Sequence, residues 1–294
     1  MRATIVIDLN PNLAAIGPFL LTWHGIFSAI GIMAAARLAQ WLTSPMRRFG
    51  LVARLRGAGR RGRQWRSVTS PVGLPSTAIP TLLVWMVAGG IVGARLLFVW
   101  ENYQLFAGRW FEVLALNEGG ISQWGGIYGG LASGYLWCRR RGFAFRDLLD
   151  LAGPANALGF AIGRIGDVIN GEHHGTPSSL PWSVDYVNAH TLGQPGRSVH
   201  PEVAYEMLWN LLLVVALLPL FDRMRTSLPA GVTGLAWLCL FAGGRFALSF
   251  LREDSLFAGL RQAQWASLAM LLIGGLSALF LLARASLQAR LKAL

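Results

Sequence analysis

The chain has 294 residues, of which 54% are apolar and only 14% charged, against about 25% charged in an ordinary soluble domain. Thirty-five glycines and twelve tryptophans fit a bilayer, where helices carry more glycine and tryptophan gathers at the interface. The net charge of +12 does not make this a nucleic-acid-binding protein, because basic loops beside apolar stretches set orientation and meet anionic lipid.

The N-terminal MRATIVIDLNPNL has no basic segment feeding a short apolar one, so no cleaved signal peptide is expected. A helix of roughly 20 apolar residues crosses a hydrocarbon core of about 30 Å. Seven stretches meet that length approximately: Pro18–Trp41, Leu82–Trp100, Ile121–Cys138, Leu148–Ile169, Val203–Leu220, Val232–Leu251 and Trp265–Leu282. The third is the weakest, being glycine-rich and polar. The expected architecture is therefore all-α: a polytopic integral membrane protein, with residues 1–294 as one transmembrane domain.

The first span carries His24 near its start and Arg37 near its end, where the long side chain can snorkel. Residues 43–76 follow as an Arg-, Gly- and Ser-rich loop holding eight arginines. Further basic groups follow the third span (Arg139, Arg140, Arg141, Arg146), the fifth (Arg223, Arg225) and the seventh (Arg284, Arg290, Lys292). With seven spans these all fall on one side. The positive-inside rule then puts the N-terminus outside and the C-terminus in the cytoplasm. Residues 171–200 form the longest outer segment.

Four arginines lie within spans: Arg37, Arg95, Arg164 and Arg245. Such a group costs about 2.5–3.5 kcal/mol on insertion scales, so it persists where it pairs or lines a polar cavity. Arg95, six residues before Glu101, is open between an ion pair or carbonyl contact and a site role. Arg164 sits in GFAIGRIGDVINGEHHG, where Asp167, Asn170, Glu172, His173 and His174 follow. It could simply pair with Asp167, three residues on. Arg245, in FAGGRFALSFLRED, has Arg252 seven residues on, two turns along and on the same face. Two inward guanidiniums from different helices look like a clamp for a phosphate in the membrane, with packing alone as the other reading. Neutral His24 near membrane depth is a structural group or a general base.

Cys138 and Cys239 have neither metal nor redox spacing and read as inert. Walker A, G-x-G-x-x-G, G-x-S-x-G and H-E-x-x-H patterns are absent, so no metal site and no cofactor are expected.

These residues resemble one family, prolipoprotein diacylglyceryl transferase. The resemblance runs over IGPFLLTWHG, VGARLLFVWENY, EGGISQWGGIYGG, GRIGDVINGEHHG, HPEVAYE and GGRFALSFLRED, in order, from roughly Ile5 to Leu282. It implies a bacterial inner-membrane enzyme whose partners are phosphatidylglycerol, a prolipoprotein lipobox peptide and the bilayer. The thiol of the precursor attacks the glyceryl carbon, and glycerol phosphate leaves. By position, Arg164 and Arg245 would hold the phosphate. Asp167, Asn170, Gly171, Glu172 and Arg252 would shape the headgroup pocket, and His200, Tyr205 and Glu206 would order the outer segment beside it. This chain departs from the family at several points: His24 replaces the usual Tyr, Trp124 the usual His, Asp167 the usual Asn and Ser249 the usual Glu, and HPEVAYE lacks the usual Ser and Gln. A base role would then fall to His24. A membrane lipid-binding or transport protein of the same fold is the alternative from another class, although no internal repeat of the kind many transporters carry is seen.

Overall fold

The computed structural model describes residues 4–17, 19–44, 73–114, 120 and 122–292. Most of the Arg-rich loop, residues 45–72, lies outside the described residues. Among the described residues seven long helices dominate: α1 (Trp23–Thr43), α2 (Ile79–Glu101), α3 (Gln123–Arg141), α4 (Phe145–Asn170), α5 (Glu202–Ser227), α6 (Val232–Leu248) and α7 (Gln262–Lys292). Each apolar stretch of the sequence overlaps one of them. Among the described residues, four segments are long and apolar enough to cross a membrane: Trp23–Thr43, Ser76–Glu101, Val232–Leu251 and Gln262–Leu291. α3 is glycine-rich and ends in three arginines, while α4 carries Asp147, Asp150, Arg164 and Asp167.

Two boundaries differ from the apolar pattern. The first helix starts at Trp23 rather than Pro18, because Phe19–Thr22 is a strand, β3, hydrogen-bonded antiparallel to β2 (Asn12–Ile16). The last helix runs ten residues past Leu282 to Lys292, since ARASLQARLK is built of good helix formers although it is no longer apolar. The other strands are short. β1 (Ile5–Ile7) pairs in parallel with β4 (Val184–Tyr186), and β5 (Leu256–Phe257) pairs with β6 (Leu260–Arg261) just before α7.

The chain divides into two compact units, Ala39–Leu148 and Met1–Leu38 with Leu149–Leu294. In the first of these, α2 packs along α3 through glycines. A Cβ on Gly93 would lie 2.3 Å from the Gly125 carbonyl oxygen, and one on Gly125 would lie 2.2 Å from that of Gly93. The glycines that weaken the third apolar stretch are therefore what lets two backbones touch. Arg95 donates from Nε to Val113 O at 2.8 Å, from Nη1 to Gly120 O at 2.8 Å and from Nη2 to Glu112 O at 2.5 Å. It satisfies carbonyls of the segment that follows its own helix. Trp124 stacks on Tyr128 in α3, ring centroids 6.1 Å apart.

In the second unit α4 is flanked by α1 and α6. A Cβ on Gly166 would lie 2.6 Å from His24 Cα, so glycine there allows the start of α1 to reach α4. Buried Asp150 accepts from the backbone N–H of Gly231 at 2.8 Å and of Gly234 at 3.0 Å. It caps the first turn of α6, where a carboxylate also favours the helix dipole. Ala157, Leu213 and Leu217 form a dry core with Trp209, Trp237 and Phe241 against them. By contrast, Leu272, Ile273, Leu276, Leu279 and Phe280 of α7 are all exposed. A contiguous apolar face of that kind marks a surface covered by lipid or protein.

Candidate active site

Polar side chains from four helices of the second unit meet in one connected cluster. α4 supplies Arg164 and Asp167, three residues apart and on one face. Arg164 donates from Nη1 to Asp167 Oδ2 at 2.5 Å, and its Nη2 stands 2.7 Å from Glu206 Oε2. The pairing that i, i+3 spacing allows is made, and the same guanidinium also bridges to α5. From α6, Arg245 Nη1 lies against Glu206 Oε1 and 3.8 Å from Glu202 Oε1. The two span arginines thus converge on one carboxylate, that of Glu206. Glu202 and Glu206 share a face of α5 four residues apart, and both are buried.

Arg252 extends the cluster by a route that differs from the sequence reading. It does not continue the α6 face two turns beyond Arg245. α6 ends at Leu248, a single 3₁₀ turn covers Ser249–Leu251, and Arg252 is extended at φ −105° and ψ 155°. Ser249 contributes by donating its hydroxyl to Arg245 O at 2.6 Å, a local bond that competes with continued helix. From its extended position Arg252 donates to Glu202 Oε2 at 3.2 Å, to Asp254 Oδ2 at 2.6 Å and to His173 Nδ1 at 2.9 Å. Burial, then the guanidiniums of Arg252, Arg164 and Arg245, push the His173 imidazole down to about 4. The ring is neutral at pH 7 and accepts from Arg252. Burial alone would raise the Asp254 carboxyl, but its hydrogen bonds from Arg252 and the nearby positive charge hold it below its ordinary value.

On the other flank, His24 Nδ1 contacts Asp167 Oδ1 and stands 3.8 Å from Glu172 Oε1. Glu172 Oε1 accepts from Asn170 Nδ2 at 2.8 Å. Gly171 ends α4 with φ 78°, the left-handed backbone that glycine adopts without strain. His200 and Tyr205 lie at the start of α5. Nδ1 of His200 is 3.4 Å from the Tyr205 hydroxyl, which accepts from Trp182 Nε1 at 2.7 Å.

All eleven residues singled out from the sequence therefore lie in this unit. Nine of them (His24, Arg164, Asp167, Asn170, Glu172, Glu206, Arg245 and Arg252, with Gly171 in the backbone) belong to the cluster or its rim. Tyr205 contacts both His200 and Trp182. Glu202, Asp254 and His173 carry as much of the network, although the sequence reading gives none of them a site role. The i, i+4 spacing of Glu202 and Glu206 opposite two span arginines was the available signal. Pairing of opposite charges is what such burial demands, since an unpaired buried charge is costly.

The family model for prolipoprotein diacylglyceryl transferase matches residues 11–280. The chain belongs to that family. It is 36% identical over 285 residues to the phosphatidylglycerol–prolipoprotein diacylglyceryl transferase of Gloeobacter violaceus, covering 95% of each chain. The protein of the same name from Synechococcus elongatus is 36% identical over 271 residues, 90% of this chain and 85% of its own. That of Synechocystis sp. is 30% identical, over 90% of this chain and 87% of its own. The segments GRIGDVINGEHHG, HPEVAYE and GGRFALSFLRED, with His24 from IGPFLLTWHG, build the cluster.

Proposed function

We propose that this chain transfers the diacylglyceryl group of phosphatidylglycerol to the cysteine thiol of a prolipoprotein lipobox, the first step of lipoprotein maturation. The observation that carries the reading is the convergence of Arg164 and Arg245 on Glu206, in a chain matched along nearly its whole length by named transferases. A guanidinium has five N–H groups, and Glu206 engages part of each fork. The carboxylate holds both cations at fixed positions before any lipid arrives, which is the preorganisation that electrostatic catalysis needs. The phosphate oxygens would bind the remaining N–H groups. The thiol sulfur attacks the glyceryl carbon, the carbon–oxygen bond to phosphate breaks, and glycerol phosphate departs with the electron pair while the arginines stabilise its charge. Asn170, Gly171 and Glu172 line the headgroup side, Arg252 braces α5 through Glu202, His200 and Tyr205 order the outer segment, and His24 handles the thiol proton. The acceptor supplies the nucleophile, which accords with the burial of Cys138.

In this reading all seven helices cross a bacterial inner membrane as one transmembrane domain. The N-terminus and residues 171–200 lie outside, and the Arg-rich loop 43–76 and the C-terminus lie in the cytoplasm. Reporter fusions at Ser67 and Gly196 are expected on opposite sides of the membrane; finding both on one side contradicts it. The function is tested by expression in a bacterial strain depleted of its own transferase. The wild-type chain should restore growth and Arg164→Ala should not. Failure of the wild type, expressed and membrane-inserted, overturns the proposal.

A further inference from the structure

His24, at the start of α1, and Asp167, near the end of α4, touch through their side chains. They are 143 residues apart in sequence. Asp167 is almost wholly buried, with 5% of its side chain exposed, and both its oxygens are engaged: Oδ1 by His24 Nδ1 and Oδ2 by Arg164 Nη1 at 2.5 Å. The His24 side chain is 45% exposed, and its Nε2 meets no hydrogen-bond partner among the described residues. The close approach at Gly166 fixes the backbone of His24 against the helix that carries Asp167. The ring is therefore held from behind, at its backbone and at Nδ1, with the opposite nitrogen open.

We propose that His24 and Asp167 act as one pair, in which Asp167 fixes the imidazole with Nδ1–H on its carboxylate and leaves Nε2 bare to take the proton of the acceptor thiol. This rests on the transferase reading and gives Asp167 a positioning role rather than a headgroup contact. The hydrogen bond at one ring nitrogen decides the state of the other. A carboxylate at Nδ1 selects the tautomer whose Nε2 is a base, and it steadies the imidazolium once formed, as in other triads of nucleophile, base and orienting carboxylate. The charged groups facing His24 are Asp167, Glu172 and Arg164. As the S–H bond breaks, its proton passes to Nε2. The sulfur bonds to the glyceryl carbon, and the departing glycerol phosphate carries away the carbon–oxygen electron pair and afterwards takes the proton. A thiol of pKa near 8.5 is only about 3% thiolate at pH 7, so the base has work to do there.

The test uses full-length protein in phosphatidylglycerol-containing vesicles with a lipobox peptide, comparing wild type with His24→Gln, Asp167→Asn and the double variant. At pH 7, kcat should fall roughly 100-fold in each single variant, the lower end for lost general-base catalysis, with the phospholipid KM within about threefold. The double variant should be no worse than His24→Gln alone. Each defect should shrink by on the order of tenfold between pH 7 and 9, because the acceptor thiol then ionises unaided. Nitrogen-15 NMR of the His24 ring, read independently of turnover, should show Nδ1–H with bare Nε2 at pH 7.5, and mixed tautomers in Asp167→Ala. A raised KM with kcat intact, a defect constant with pH, or a neutral ring carrying its proton on Nε2 rather than Nδ1 overturns the pair. If the wild type transfers nothing, the transferase reading fails, and the ring tautomer alone still decides for or against the pair.

Discussion

Arg245→Lys should lower kcat/KM for diacylglyceryl transfer by roughly 10- to 150-fold, the equivalent of one charge-assisted contact worth on the order of 1.5–3 kcal/mol. Charge is retained in this variant, so the loss isolates geometry. The guanidinium of Arg245 reaches Glu206 and Glu202 on α5 from one edge, and its planar fork can present further N–H groups to a phosphate at the same time. An ammonium is a compact charge on a flexible stem with three donors, and it cannot hold both partners in fixed directions. The same argument applies to Arg164, which spans Asp167 and Glu206 with its two terminal nitrogens. A lysine there must give up one of them. Turnover by purified Arg245→Lys within twofold of wild type, with unchanged folding, would contradict a phosphate-holding role.

Glu206→Ala should be among the most destabilising single changes in the chain, by about 3–5 kcal/mol, the usual cost of removing one partner from a buried ion pair. Glu206 has only 5% of its side chain exposed and stands between two guanidiniums. Removing it leaves Arg164 and Arg245 facing each other without their shared counter-charge, in surroundings that water screens poorly. Glu206→Gln keeps the shape and one acceptor and should lose less. Unfolding followed in detergent micelles measures the difference. Equal stability of Glu206→Ala and wild type would show that the two arginines find other counter-charges, and the bridging role would fall.

Much of this architecture was legible in the sequence because a membrane imposes a length. Seven apolar runs of the right size mark the seven long helices seen among the described residues. The start of α1 was misplaced because Phe19–Thr22 is as apolar as the helix it precedes, and only the pairing of Ile16 with Phe19 reveals a hairpin there. Arg164 and Arg245 were conspicuous as charges in apolar runs, but their partner was not. Glu206 lies in HPEVAYE, and nothing local says that its carboxylate reaches helices 42 residues before it and 39 after. Arg252 illustrates the opposite error. Helical periodicity carried past Leu248 puts it on the Arg245 face, whereas Ser249 turns the backbone and sends it to Glu202 and His173. Contacts between distant residues, such as His24 with Asp167, follow from which helices touch, and glycines such as Gly166 decide that.

The central claim is chemical transfer to a thiol, and one measurement meets it directly. Purified wild-type protein is incubated with phosphatidylglycerol vesicles and a lipobox peptide, and the peptide is weighed by mass spectrometry with its cysteine alkylated or free. The cysteine should gain the mass of a diacylglyceryl group in thioether linkage, with one glycerol phosphate released per peptide modified, and Arg164→Ala should give neither. Phosphatidylglycerol bound by the wild-type protein with no mass gained on the cysteine would contradict the account and leave a lipid-binding protein of the same fold.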